Sequence, residues 1–520
     1  MTQIFQAGAL NTTALIVPDL YIDIVPPQTL LLNGVPTNTL GIVGTANWGP
    51  VNQVVVGGNM GDFAVSFGVI QNRQYDLGTA TAICVMQGAN NFRWVRVTDG
   101  TDAKATVTVT GEITYTAKYS GTLGNALAVT LSAGSAANTW RAVVSLPGYT
   151  PEVFDNLAAG LTGNAVWLAI ANAINHGTPL RSASNLITAA ALTSTAAPVA
   201  GTVLFSTGTP GTDGVSTMTD ALVVGTDGLA SARTGMYALR GQDCSVAFLA
   251  DVTTVATFTA QEAFGLSEQI YMIVVTAAGD GVSSAPGIKA TAGIDSYAVK
   301  YMFGDWLYWY DQQNQVTRLV SPQGFVAGRL ANLSPEQSSL NKPLYGIVGS
   351  QRNGVVGTAQ NTSYSTAELA TLLSAGIDVI CNPVPGGNFW AVRGGHNSSS
   401  NASINGDNYT RLTNYLALTL GAGMGVYVGQ LVNLQLFQRI RGTLAAFLQG
   451  MVDQGMLASL VSGQNPYKIV CDPSNNPQSR TALGYVQADV AVTYQAINEK
   501  FLVNVQGGQT VVTPGSAAGS

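Results

Sequence analysis

The chain has 520 residues, too many for one hydrophobic core, and at about 150 residues per unit it divides into roughly three domains. Apolar residues make up 46% and charged residues only 10%, against ~25% in ordinary soluble proteins, so a large core is assured while the surface has little charge to resist self-association. A net charge of −6 argues against nucleic-acid binding, and with Arg73 as the first basic side chain the amino terminus has no positive region of a secretory signal.

Residues 1–25 read as an extended arm. Ile16-Val17 and Tyr21–Val25 are β-prone, are split by Pro18 and stop at Pro26-Pro27. Within the second run Tyr21, Asp23 and Val25 point one way, and Ile22 and Ile24 the other. An arm this short forms no core alone and must pair with a sheet elsewhere. An α/β segment follows: a buried strand at Thr39–Ala46 leading into the turn Asn47–Pro50, a helix at Thr79–Gln87, and a strand at Phe92–Val97.

From about Thr101 to Met218 Thr, Ala, Ser, Gly and Val dominate, in short alternating runs such as Ala105–Thr110. This pattern predicts a β-sandwich inserted into the α/β domain, interrupted by a helix at Asn164–Ile174. Between Asp220 and Gly349 the α/β pattern returns, with buried strands at Cys244–Ala250 and Tyr271–Thr276, a helix at Gly293–Phe303, and a hairpin of Trp306–Asp311 with Gln315–Val320.

The last third begins near Gln351. Leu412–Gln438 holds no charge, but Asn414, Gln430, Asn433 and four glycines argue against a bilayer span, as does the lack of a strong charge asymmetry at its ends. Leu434–Leu457 is the clearest helix: Phe437, Ile440, Leu444, Phe447, Leu448 and Met451 recur at three- and four-residue steps, with Gln435, Gln438, Arg439, Gln449 and Asp453 opposite. Val486, Ala488, Val490 and Val492 then alternate as a strand, and Phe501, Val503 and Val505 as another. The tail Pro514–Ser520 has the composition of a disordered end.

Chemistry finds few footholds. Cys84, Cys244, Cys381 and Cys471 form no C-x-x-C pair, which removes the usual zinc and thioredoxin spacings. They read as buried reduced thiols, with disulfide pairing after release into oxidising surroundings as the alternative. His176 reads as structural, and His396 as part of a mobile loop, Gly394–Ser400, with no Cys or carboxylate nearby. There is no G-x-S-x-G elbow and no Gly-Lys dipeptide, and Gly421–Gly425 lacks dinucleotide-binding spacing. No enzyme, cofactor or metal site is expected.

Several stretches, taken in order, resemble the contractile bacteriophage tail sheath family. They are Gly41–Val51, Asp62-Phe63, Phe67-Gly68, Gly88–Val97, Ala117–Asn125, Glu152–Leu157, Asp305–Asp311, Thr317–Gly328, Trp390–Arg393, Arg439–Gly455 and Tyr467–Asp472. The resemblance implies an α+β multidomain chain whose subtilisin-like α/β core lacks catalytic residues. It divides the chain into an arm at 1–25, the core at 26–100 with 220–350, an inserted β-sandwich at 101–219, a tube-proximal α+β domain at 351–496 and an arm at 497–520. It further implies hexameric rings stacked helically around a tail tube, with tube, baseplate and tail terminator proteins as partners and neither nucleic acid nor membrane. Such a sheath is assembled in the host cytoplasm, becomes part of the virion, and contracts to drive the tube through the host envelope. Sheaths of this kind are similar to those of R-type pyocins and type VI secretion systems.

Within that frame, Ile16, Val17, Tyr21, Ile22 and Ile24 of one arm and Phe501, Val503 and Val505 of the other are expected to extend a neighbouring subunit's sheet around Val486, Val490 and Val492. Gln435, Arg439 and Asp453 are expected to touch the tube. Three departures concern the arm and contacts between neighbours: Pro18-Asp-Leu-Tyr21 replaces Pro-Gly-Val-Tyr, Gly394-Gly395 follows Arg393 where the family has Thr, and the second basic residue near Arg411 is missing. A secreted surface-layer or adhesin protein and a subtilisin-like hydrolase are the alternative readings.

Overall fold

The structure, a computed structural model, describes residues 32–352, 363–461 and 463–505, together with the backbone of short strands at 4–7, 21–24 and 354–355. Its centre is a six-stranded sheet of β1 (Leu40–Gly44), β2 (Val54–Gly57), β3 (Phe92–Arg96), β4 (Val246–Leu249), β5 (Tyr271–Val275) and β6 (Val299–Met302), in the order β6-β5-β4-β1-β3-β2. All neighbours are parallel except β2, which runs antiparallel along β3 at the edge. A parallel sheet is covered on both faces, so its strands read as continuous apolar runs. Every residue of β1, β4, β5 and β6 is buried.

The period of two sorts these side chains into two cores. Leu40, Ile42, Val246, Phe248, Tyr271 and Ile273 face one cluster with helices α1 (Leu77–Met86) and α2 (Gln323–Asn332). Val43, Ala247, Leu249, Met272 and Val274 face the other, with Phe258 and Phe264 of the helix Phe258–Glu268. The two helices of the first core pack closely because α2 presents glycine: a Cβ on Gly328 would lie 2.6 Å from Cys84 Cα.

Between β3 and β4 the chain forms two antiparallel sheets. One has three strands, Ile187–Ala191, Ile113–Ser120 and Lys104–Val109; the other has four, Glu152–Leu157, Trp140–Ser145, Ala128–Ala133 and Gly201–Leu204. Their inward residues and the helix Asn164–His176 share one core. Arg96 at the end of β3 is fully buried and donates to the carbonyls of Gly49 at 2.7 Å, Ser120 at 2.8 Å and Asp213 at 3.3 Å, which ties these sheets to the central one.

One expected helix is corrected. Gly293–Phe303 is not helical: the helix lies earlier, at Ala285–Ala292, with Pro286 in its first turn and Gly293 closing it at φ 68. Val299 and Tyr301 then alternate with Lys300 and Met302 as β6. The hairpin takes its expected place at Leu307–Asp311 and Val316–Val320. Helices α3 (Asp407–Gly423) and α4 (Leu434–Asp453) and a two-stranded sheet, β7 (Tyr467–Val470) with β8 (Asp489–Val492), complete the last third. No helix among the described residues is long and apolar enough to cross a membrane.

Candidate assembly interface

Helix α4 organises the carboxy-terminal region. Asn433 caps it, its side-chain oxygen accepting from Leu436 N at 2.8 Å. Leu436, Phe437, Ile440, Leu444, Phe447, Leu448 and Met451 form its buried stripe, packed against Leu412 and Leu416 of α3 and against Ile469 and Val490 of the small sheet. Gln435, Arg439 and Asp453 lie exposed on the opposite side, and Gln449 Nε2 donates to Asp453 Oδ1 at 2.8 Å.

Strands β7 and β8 pair antiparallel from Tyr467↔Val492 to Val470↔Asp489. Each has one strand neighbour among the described residues, so their outer edges are not part of a larger sheet, although just past β8 Tyr494 bridges to Leu457. Val490 and Val492 turn inward and half-buried; Val486 lies just before the strand, also half-buried, against Leu436 and Leu444. The lead-in is fixed by Asn476, whose Nδ2 donates to Gln487 O at 2.8 Å while Gln487 N donates back to its Oδ1 at 2.6 Å.

Phe501–Val505 forms no strand within the chain, and Phe501, Leu502, Val503 and Val505 are 83%, 82%, 60% and 88% exposed. Full burial of such a side chain is worth roughly 1.5–3 kcal/mol, so this segment is far from its most favourable environment. At the other end Tyr21–Ile24 pairs in parallel with Ile4–Ala7, from Tyr21↔Ile4 to Ile24↔Ala7, rather than with β7 or β8 of its own chain. Ile16 and Val17 lie outside the described residues. The partner strand Ile4–Ala7 was not legible in the sequence, since four residues carry no measurable period. Exposed Val428, Leu431 and Leu434, together with Leu460, Leu483 and Tyr485, add apolar surface in the same third of the chain.

A buried ionic cluster joins this third to the central sheet, and spacing gave no hint of it. Lys300 on β6 is fully buried; its Nζ donates to Asp378 Oδ2 at 2.6 Å, Asp407 Oδ1 at 3.0 Å and the His396 carbonyl at 2.9 Å. Asp407 also accepts from Tyr271 OH at 2.6 Å and from the Ser339 amide at 3.1 Å and hydroxyl. Burial alone would raise Asp407, but the Lys300 charge and these hydrogen bonds outweigh it and hold the carboxyl at about 2. Burial would likewise lower Lys300, and the two carboxylates reverse that and raise it. Arg411 reaches the carbonyls of Thr37, Leu333 and Ser334 at 2.9–3.1 Å, so its partners are backbone atoms of its own chain.

His396 differs from its sequence reading. Asn397 and Ser398 beside it are fully buried, and its Nε2 stands 2.6 Å from Glu499 Oε1, a carboxylate brought from 103 residues downstream. The four cysteines are free and buried. Burial pushes Cys244 up to about 12 and Cys381 to about 11, which suppresses thiolate reactivity.

These features define a class before any comparison: a multi-sheet α+β chain with a densely buried interior, a small two-stranded sheet and an exposed apolar segment at Phe501–Val505. No protein-family model matches the sequence, and no curated protein matches it. Solved structures do. The sheath tail protein of Listeria innocua aligns with a TM-score of 0.59 over 86% of this chain and 90% of its own, at 15% identity. The sheath tail protein of Desulfitobacterium hafniense aligns at 0.54 over 87% and 93%, also at 15% identity. The PVC sheath of an extracellular contractile injection system, in its contracted state, aligns at 0.54 over 95% and 98%, at 9% identity. The chain has the fold of contractile-tail sheath proteins.

Proposed function

We propose that this chain is the sheath subunit of a contractile tail and is not an enzyme. It polymerises as hexameric rings stacked around a tail tube, bound at its ends by baseplate and terminator proteins, and contracts to drive the tube through a host envelope. In this reading the particle is a phage virion, assembled in the host cytoplasm. The six-stranded sheet with its helices is the subtilisin-like core, residues 101–219 are the inserted β-sandwich, and α3, α4, β7 and β8 belong to the tube-proximal domain. The observation that carries the proposal is the presence together of a two-stranded sheet and an apolar segment, Phe501–Val505, that forms no strand and lies mostly exposed.

A strand from one subunit laid along the free edge of β7 or β8 of another satisfies backbone groups on both and buries Phe501, Val503 and Val505. The ribbon holding Tyr21, Ile22 and Ile24, with Ile16 and Val17 before it, supplies a second such connection. Domains can then rotate as rigid bodies while strands keep neighbours joined, which is what ring twisting and shortening require. Gln435, Arg439 and Asp453 on the exposed side of α4 provide polar groups toward the tube.

Electron microscopy of the purified protein tests this directly. Full-length chain should form tubes with a helical repeat, and chain lacking residues 1–25 should remain a folded, soluble monomer. Normal tubes from the truncated chain would refute the strand-exchange mechanism, and a discrete monomer at high concentration that turns over a substrate would refute the function.

A further inference from the structure

Beyond β8 the chain passes from a well-held stretch to an unheld one within a few residues. Upstream, Thr493 N donates to Pro466 O at 2.7 Å, Asn408 Nδ2 donates to Gln495 O at 2.8 Å, and Gln495 Nε2 donates to Gly455 O at 2.8 Å. The Tyr494 ring meets that of Tyr409 with centroids 5.7 Å apart. Downstream, Phe501–Val505 is mostly exposed and forms no strand.

Residues 496–499 lie between the two. They are neither helix nor strand, and among the described residues no hydrogen bond holds Ala496, Ile497 or Asn498. A surface cleft opens on each side of them, one walled by Asn405, Asn408 and Tyr409, the other by Glu336, Lys342 and Arg393. The segment crosses between these clefts, and one polar contact ties its far end down: His396 Nε2 to Glu499 Oε1 at 2.6 Å.

The two halves of that contact differ in rigidity. His396 stands on a fixed loop. Asp378 accepts from the amides of Gly394, Gly395 and His396 at 2.7, 2.8 and 3.3 Å, and Lys300 Nζ donates to the His396 carbonyl at 2.9 Å. Glu499 has no such support. Its side chain is 39% exposed against 19% for His396, and among the described residues it forms no ion pair with Lys342, Arg393 or Lys500.

One hydrogen bond between partly exposed groups shifts an equilibrium by roughly two- to tenfold. That is enough to keep the crossing closed most of the time, and little enough for a pull on the segment to open it. Once it opens, the next fixed point is Gln495, and four residues at ~3.3 Å each add ~13 Å to the free arm.

We propose that the His396–Glu499 contact is a clasp: closed, it sets the point at which the terminal segment leaves its own subunit, and opened, it releases residues 496–499 as slack. The use of that slack rests on the sheath reading, because neighbours joined by shared strands need spare reach when they rotate. The clasp itself is complete within one subunit.

The test is made on the dilute full-length subunit. Its native cysteines are buried, so nitroxides can be placed selectively at Lys468→Cys on β7 and at Lys500→Cys, and pulsed electron paramagnetic resonance reads the distances between them. With the clasp intact the distribution should be narrow. Adding Glu499→Ala or, separately, His396→Ala should broaden it about twofold or more and extend it by up to ~13 Å. Glu336→Ala removes a carboxylate of the same cleft that does not bond to His396, and should leave the distribution unchanged. The two clasp variants remove opposite ends of one contact, so if one misfolds the other decides. A distribution as narrow in the clasp variants as in the parent, or already broad in the parent, overturns the proposal. Absence of tubes at high concentration would instead count against the sheath reading, with the clasp still decided by the dilute subunit.

Discussion

At the scale of single residues, Lys300 holds a buried ionic cluster together. It is the positive partner of two carboxylates, all three shielded from water. Removing one member of such a cluster strands the others as unpaired buried charges, which typically costs about 3–5 kcal/mol. Lys300→Met should therefore lower the stability of the monomer by that amount in urea denaturation, and a loss under 1 kcal/mol would show the cluster to be incidental. The pH profile separates this cluster from Asp76 and Asp251 by sign. Asp407, held at about 2, lies below its unfolded value, so its contribution is present above about pH 4 and lost as pH falls toward 2. Asp76 and Asp251, carboxylates near the carboxyl ends of β1 and β4, are pushed by loss of water up to about 6, above their unfolded values, so their contribution is present below about pH 4 and lost as pH rises to 6. Lys300→Met should flatten the first limb and Asp76→Asn the second; a reversed slope in either window contradicts the assignment.

At the scale of elements, what the sequence disclosed depended on period and length. Strands β1, β3, β4 and β5 and helix α4 were legible because each repeats one pattern over five or more residues or forms an unbroken apolar block. The stretch Gly293–Phe303 misled because a helix end, a loop and a strand succeed one another within eleven residues, and their mixed apolar spacing imitates one helix. The His396–Glu499 and Lys300–Asp407 pairs were invisible for a different reason: their members lie 103 and 107 residues apart, so only the fold brings them together. Within the candidate interface the face of α4 was readable, and the open edges of β7 and β8 were not, since pairing is a property of three dimensions. One motif had a local reason that packing explains. Gly324 and Gly328 let α2 approach α1, and a Cβ at Gly328 meets Cys84 backbone rather than a movable side chain. Gly328→Val should cost about 1–3 kcal/mol by forcing the helices apart, and a calorimetric melting point unchanged from wild type would rule out that contact as the reason for glycine.

At the scale of the whole molecule, stability is unevenly distributed, as the proposed sheath role would require. The central sheet is buried on both faces, Arg96 clamps the inserted sheets to it, and the Lys300 cluster fastens the last third. These units resist deformation. The two-stranded β7–β8 sheet and Phe501–Val505 have few partners among the described residues. Hydrogen exchange should expose the division, because opening free energies run from near zero in unpartnered segments to the global value in a core. In dilute monomer, amides of Phe501–Val505 and of the free edges should exchange at nearly unprotected rates, while β4 and β5 stay protected. On assembly the same terminal amides should slow by at least a hundredfold, with β4 and β5 unchanged. If Phe501–Val505 is already protected in dilute monomer, the segment folds back on its own subunit, and neighbouring copies must be joined by side-chain contacts instead of shared strands.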